Sequence, residues 1–130
     1  MPKQSKNNKT ILVIEDERAT LQLLTDRLSS EGFNVIEARD GEEGLQKALK
    51  EHPDLILLDI ILPKIDGMVL LKTLRSDEWG KSIPVIILTN INDTKITAEV
   101  LENGAYDFLV KTDWKLEDVV KKVKERLRLT

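Results

Sequence analysis

Residues Asp54 to Asp59 read DLILLD and give the clearest indication of the fold. Four apolar residues stand between two carboxylates, and prolines flank the stretch at positions 53 and 63. An apolar run this short is typical of a strand that is buried on both faces of a parallel sheet. Asp59 then stands at the carboxyl end of its strand, where open α/β sheets place their ligand sites. A charge at the mouth of an apolar core is costly, so its presence there indicates a function.

The same pattern of a short apolar run followed by a helical segment extends along the chain. Strands are predicted at Ile11–Ile14, Phe33–Ile36, Asp54–Leu58, Val85–Leu88 and Phe108–Val110. Apolar residues at helical spacing predict helices over Arg18–Ser30, between Gly41 and Glu51, after Gly67, up to Asn103–Gly104, and over Leu116–Leu127. Five β-α repeats predict the α/β class, with a doubly wound, five-stranded parallel sheet and five helices on its two faces.

Composition narrows the functional class. The chain has 130 residues, a single-domain length, with 41% hydrophobic and 33% charged residues, a balance that is typical of soluble proteins. A net charge of −3 gives no reason to expect direct nucleic-acid binding, and the lack of cysteine excludes disulfides and thiolate metal sites. No apolar run is long enough to cross a membrane, and the N-terminus lacks the apolar core of a signal peptide. We expect a cytoplasmic protein with a flexible polar tail over residues 1–9 and one domain over residues 10–129.

We take the polar residues at the ends of the first, third, fourth and fifth predicted strands as candidates for chemistry, and none from the second strand. Glu15 and Asp16 follow the first strand, Asp59 the third, Thr89 the fourth and Lys111 the fifth. Taken singly, Asp16 could equally be a helix cap, and Lys111 a solvated loop residue. Because the carboxyl ends of parallel strands lie at one edge of the sheet, we expect all five side chains to converge there.

Such a group of side chains favours phosphoryl chemistry. Three carboxylates brought together repel one another, and a divalent cation relieves the repulsion. Oxygen ligands of this kind suit Mg²⁺, which commonly takes one or two carboxylates together with waters and a phosphate oxygen. An aspartate can accept a phosphoryl group as an aspartyl phosphate, with a lysine and the metal offsetting the charge. The pattern therefore predicts phosphoryl transfer to Asp59, aided by Lys111 and Thr89.

From about Lys9 to Leu127 the chain resembles the receiver domain of two-component response regulators, in particular the chemotaxis type. Four segments carry the resemblance in the family's order, namely ILVIEDE, PDLILLDIILPKIDG, IPVIILT and NGAYDFLVK. The resemblance implies a flavodoxin-like fold with strand order 2-1-3-4-5. It also implies that Asp59 is the phosphorylated residue and that the domain works in phosphorelay signal transduction.

The resemblance assigns further roles to individual residues. It implies that Asp16 binds Mg²⁺ directly, that Glu15 acts mainly through metal-bound water, and that the backbone carbonyl of Ile61 is a further ligand. Thr89 would hydrogen-bond a phosphoryl oxygen in the active state, and Lys111 would form a salt bridge to the phosphoryl group. A further residue, Phe108, would be the aromatic switch residue that turns inward as Thr89 moves.

Three positions depart from the family pattern. Thr112 stands where a proline commonly follows the lysine, and a cis bond to a non-proline residue costs about 2.5–4 kcal/mol, so the geometry of the Lys111–Thr112 bond is open. Asn90 replaces a residue that is often small, which would narrow access to the phosphoryl group. Phe108 replaces a tyrosine that is often found, so packing alone must distinguish its inward and outward states.

The first functional hypothesis is a phosphorylation switch. A histidine kinase or phosphotransfer protein would phosphorylate Asp59 with Mg²⁺ bound. A face formed by the fourth predicted helix, the fifth strand and the fifth helix, roughly Thr94 to Leu127, would relay the change to an effector. The domain would be a monomer or a phosphorylation-dependent dimer. It would not be an enzyme, and would at most catalyse its own phosphorylation and dephosphorylation.

Two alternatives remain open. A haloacid-dehalogenase-type phosphatase also uses a strand-end aspartate, but needs a second aspartate where Ile61 stands. A receiver-like binding module would keep the fold without switching, although no glycine-rich phosphate loop follows the first strand.

Overall fold

The residues that the structure describes form a five-stranded parallel sheet. A computed structural model describes residues 8–59, 67–89, 102, 107–110 and 115–128, with side chains in all these ranges except residues 89 and 107–110. The strands are β1 (Thr10–Ile14), β2 (Asn34–Ala38), β3 (Leu55–Asp59), β4 (Val85–Thr89) and β5 (Asp107–Val110). Their order in the sheet is β2-β1-β3-β4-β5, so the predicted α/β fold and strand order are confirmed.

Four helices are complete within the described ranges. They are α1 (Arg18–Ser30), α2 (Gly41–Glu51), α3 (Gly67–Arg75) and a C-terminal helix (Leu116–Leu127). The bounds of α1 and α2 agree with those predicted. The remaining helix, predicted to end at Asn103–Gly104, lies outside the described residues apart from Glu102, which is helical.

The central strands are apolar throughout because helices cover both faces of the sheet. In β3, Leu55 and Leu57 pack in a cluster with α1 and the C-terminal helix, whereas Ile56 and Leu58 pack in a second cluster with α2 and α3. All four side chains are fully buried. Successive side chains of β3 therefore point into two apolar cores, one on each face of the sheet, rather than alternating between a core and solvent.

The connection from α1 to β2 shifts the predicted strand. Gly32 has a φ of 95°, which favours glycine, and the N–H of Phe33 donates to the carbonyl of Leu28 at 3.1 Å. Pairing with the sheet thus begins at Asn34, whose N–H donates to the carbonyl of Lys9 at 2.9 Å. The strand predicted over Phe33–Ile36 begins one residue later and extends to Ala38.

An ion-pair network fastens the C-terminal helix to α1. Lys124 Nζ lies 2.6 Å from Glu31 Oε1, and Arg27 Nε lies 3.2 Å from Glu31 Oε2. Arg27 also reaches Glu117, at 3.5 Å between Nη1 and Oε2. The hydrogen bond from Lys124, followed by that from Arg27, lowers the pKa of Glu31 although partial burial opposes the shift.

Candidate functional site

Glu15 stands just past the end of β1 and belongs to the sheet edge through its backbone. Its N–H donates to the carbonyl of Ala38, the last residue of β2, at 3.0 Å. Its side chain is only 2% exposed, and Oε2 accepts a hydrogen bond from the N–H of Glu17 at 3.0 Å. The carboxylate is thereby held in one orientation at the carboxyl end of the sheet.

Asp59 is the last residue of β3 and lies between β1 and β4. It is opposite Leu88 of β4, and its side chain is 6% exposed. On the other side, Ile14 is opposite Leu58, so the residues that come next, Glu15 and Asp59, are carried to neighbouring positions. The parallel register is what brings these two distant carboxylates together.

Asp16 completes an acidic cluster that we define as Glu15, Asp16 and Asp59. One carboxylate oxygen from each residue can be chosen so that all lie within 4.8 Å of one another. Glu15 and Asp59 are buried and Asp16 is exposed, so the cluster opens to solvent on one side. The convergence of the three predicted carboxylates is therefore observed.

The donor set of the cluster fits a hard divalent cation. It offers only carboxylate oxygens, which are the ligands that Mg²⁺ prefers, and one exposed member leaves room for waters or a phosphate oxygen. Like charges at this separation repel, and a cation between them offsets that repulsion. The chemistry of these three residues thus agrees with the predicted magnesium site.

Two of the remaining predicted residues are placed by backbone register only. Thr89 ends β4 opposite Val110, and Phe108 lies in β5 opposite Ile87. Lys111 and Ile61 lie outside the described residues, as do Asn90 and Thr112. The geometry of the Lys111–Thr112 bond, which the sequence left open, therefore also lies outside them.

The sequence pattern overlooked one contributor to the site, the end of β2. We predicted no site residue from that strand, yet the carbonyl of Ala38 accepts a hydrogen bond from the N–H of Glu15 and thereby positions a member of the acidic cluster. Backbone acceptors leave no signal in side-chain chemistry. A strand register drawn beforehand between β1 and β2 would have found it.

The family model described as "Response regulator receiver domain" matches residues 11–124 of the chain. The chain belongs to this family of two-component response regulators, whose receiver domains act as signalling switches. The resemblance drawn from the four sequence segments is confirmed.

Two curated relatives whose names describe transcriptional regulators match most of the chain. The chain is 43% identical over 104 residues to the alkaline phosphatase synthesis transcriptional regulatory protein PhoP of Bacillus subtilis, which covers 80% of this chain and 42% of that protein. It is 43% identical over 101 residues to the probable transcriptional regulator ycf27 of Porphyridium aerugineum, covering 78% of this chain and 41% of that protein. The matched region therefore spans less than half the length of these relatives.

Solved structures share the fold over nearly the whole chain. A CheY-like response regulator receiver domain protein from Methanospirillum hungatei superposes with a TM-score of 0.87 at 30% identity, covering 94% of this chain and 95% of that one. A chain of the CheX-CheY-BeF3-Mg²⁺ complex from Borrelia burgdorferi gives a TM-score of 0.84 at 30% identity, covering 92% of this chain and 89% of that one. In the part of this chain that the structure describes, no helix is long and apolar enough to span a membrane.

Proposed function

We propose that the domain, over residues 10–129, is a phosphorylation-activated switch whose phosphoacceptor is Asp59. The observation that carries this proposal is the acidic cluster, since Asp59 is buried at a strand end within 4.8 Å of two further carboxylates. Burial of an aspartate beside two other carboxylates is costly and is poorly suited to a merely structural role. It is well suited to a reaction that a bound cation assists.

In the proposed reaction, a carboxylate oxygen of Asp59 attacks the phosphorus of a phosphohistidine or an acyl phosphate. The new O–P bond forms as the P–N or P–O bond of the donor breaks, and the leaving group keeps the electron pair and takes up a proton from solvent where its basicity requires one. Glu15, Asp16 and Asp59, with the backbone carbonyl of Ile61, would hold Mg²⁺. When bound, this ion offsets negative charge on the transferring phosphoryl group.

The remaining residues would act on the phosphorylated state. Lys111 would pair with the phosphoryl group and Thr89 would donate a hydrogen bond to one of its oxygens. Phe108 would turn inward with Thr89, shifting an equilibrium between two conformations of the domain. The face from roughly Thr94 to Leu127 would present that shift to an effector.

We further propose that the phosphodonor is a sensor histidine kinase or a phosphotransfer protein. The names of the curated relatives describe transcriptional regulators, and this chain corresponds to less than half of each of those proteins. The domain itself would contact protein partners and no nucleic acid, as a monomer or a phosphorylation-dependent dimer. Residues 1–9 would form a polar tail outside the switch.

The test is incubation with acetyl phosphate and Mg²⁺, followed by intact mass. The parent protein should gain one phosphoryl group and Asp59→Asn should gain none. Asp54→Asn is the matched control, because Asp54 lies at the opposite end of the same strand, and it should be labelled like the parent. Labelling of Asp59→Asn at the parental level would overturn the assignment. Steady hydrolysis of a phosphate ester by the parent would favour the phosphatase alternative instead.

A further inference from the structure

A cleft opens between α1 and the edge strand β2, and its described lining includes no member of the acidic cluster. Its volume is about 210 Å³, and its lining residues are Arg18, Leu21, Gln22, Glu37 and Arg39. Leu21 is 4% exposed and forms an apolar floor, while the two arginines are exposed at the rim. The cleft thus combines a small apolar surface with two guanidinium groups.

The other polar groups of the cleft are already engaged. Glu37 Oε2 accepts from Thr25 Oγ1 at 2.6 Å, and the carbonyl of Glu37 accepts from Lys47 Nζ at 2.6 Å. Gln22 Nε2 donates to Asp26 Oδ1 at 2.8 Å. These contacts fix the wall of the cleft without using the arginines.

The guanidinium groups of Arg18 and Arg39 differ from the other polar groups of the cleft in their hydrogen bonding. Within the described ranges, neither forms a hydrogen bond or an ion pair, and the contact recorded for Arg39 is that of its backbone N–H with Glu43 Oε1 at 2.8 Å. Each guanidinium carries five N–H donors in a planar fork that matches carboxylate and phosphate oxygens. Two such forks at one cleft present donors for two oxyanion groups.

We propose that this cleft binds a compact organic dianion, either a dicarboxylate or a phosphomonoester, between Arg18 and Arg39. With Glu37 counted, the three charged side chains carry a formal charge of +1, which favours an anion. The volume of about 210 Å³ is below the roughly 300–1,000 Å³ of sites for drug-sized ligands. A short hydrocarbon segment of the ligand would lie on Leu21. The proposal does not depend on phosphorylation of Asp59.

The test is a titration of the full chain with succinate, and separately with methyl phosphate, at constant ionic strength and without Mg²⁺. Binding is followed by NMR of the arginine Nε–Hε groups and of the backbone amides of α1 and β2. Saturable shifts at Arg18 and Arg39 are expected. Arg18→Gln and Arg39→Gln should each weaken binding about tenfold or more, because each removes charge-assisted hydrogen bonds. Which of the two probes binds more tightly tells carboxylate from phosphate recognition.

Arg128→Gln is the matched control, since it removes the same charge from an exposed position on the C-terminal helix end, and its affinity should equal that of the parent. Thermal melts establish that each variant is folded, and the two cleft variants test the proposal independently. Shifts that sodium chloride reproduces, shifts centred on the acidic cluster, or unchanged affinity in both cleft variants would each overturn the proposal.

Discussion

Asp54 and Asp59 bracket the same strand, and the structure uses them in opposite ways. At the amino end of β3, Asp54 Oδ2 accepts from the N–H of Thr10 at 2.7 Å, while the N–H of Asp54 donates to the carbonyl of Thr10 at 2.8 Å. At the carboxyl end, Asp59 is buried beside two other carboxylates. Asp54 therefore links β3 to β1 through hydrogen bonds, whereas Asp59 adds a third carboxylate to the acidic cluster.

The difference shows what makes a carboxylate structural. Asp54 is partly exposed and satisfies a backbone donor of β1, so its charge is both solvated and hydrogen-bonded. Asp59 is 6% exposed and lies within the acidic cluster, where a further charge raises the free energy of the ionised site. Stability favours the first arrangement, whereas the second is expected to depend on a ligand.

The largest expected effect is therefore the response to Mg²⁺. Mg²⁺ at 100 times its Kd should raise the free energy of unfolding of the parent by about 2.7 kcal/mol. Asp59→Asn removes one ligand, and a loss of tenfold or more in affinity would cut that gain by about 1.3 kcal/mol or more. Asp54→Ala should keep the whole gain. Urea unfolding with and without Mg²⁺ measures all three. If Mg²⁺ raises the free energy of unfolding of Asp59→Asn as much as that of the parent, Asp59 does not contribute to Mg²⁺ binding and the proposed difference between the two ends of β3 is wrong.

The next effect is the structural cost at the amino end, measured without Mg²⁺. Asp54→Ala leaves the partly buried N–H of Thr10 without its side-chain acceptor, so the free energy of unfolding should fall by about 1–3 kcal/mol. Asp54→Asn retains an acceptor oxygen and should lose less than Asp54→Ala. If both variants unfold at the parental urea midpoint, Asp54 does not join the strands as inferred.

The sequence predicted the sheet because its signals are local. Each apolar run marks a strand, and the polar residues after Ile14, Leu58, Leu88 and Val110 mark the carboxyl edge. The acidic cluster followed from a general rule of parallel sheets and needed no side-chain geometry. Fold class and site location were therefore predictable together.

The roles of Asp54 and Glu31 were not predictable, because each depends on register or on distant packing. The sequence shows the same residue type at both ends of β3, and only the pairing of Ile11 with Leu55 places Thr10 next to Asp54. Glu31 meets Lys124 across 93 positions of the chain. No periodicity or motif connects residues that far apart.

The conformation of the turn between α3 and β4 could not be predicted for a related reason. Arg75 Nη1 donates to the carbonyls of Gly80 and Ile83 at 2.6 and 2.9 Å, and Asp77 Oδ2 accepts from the N–H groups of Trp79 and Gly80 at 3.0 Å each. A Cβ at Gly80 would lie 2.1 Å from the carbonyl oxygen of Leu74. The sequence of this segment indicates only a polar loop, but its conformation is fixed by hydrogen bonds between side chains and the backbone.

The smallest expected effect extends the comparison to Glu31, a second structural carboxylate. Its pKa is lowered chiefly by the hydrogen bond from Lys124, so its stabilising contribution is present above the pKa of an unfolded glutamate and is lost as pH falls through the lower folded pKa. Glu31→Gln should reduce the free energy of unfolding at pH 7 by about 1 kcal/mol or less, since the pair is partly exposed. Below the folded pKa, the free energies of unfolding of the variant and the parent should converge.

Lys81→Gln, which breaks an exposed pair with Glu78, is the control and should change the free energy of unfolding by less than about 0.5 kcal/mol. Urea midpoints from pH 7 to acid measure the difference, and a gap between Glu31→Gln and the parent that stays constant with pH would show that the charge of Glu31 does not stabilise the contact.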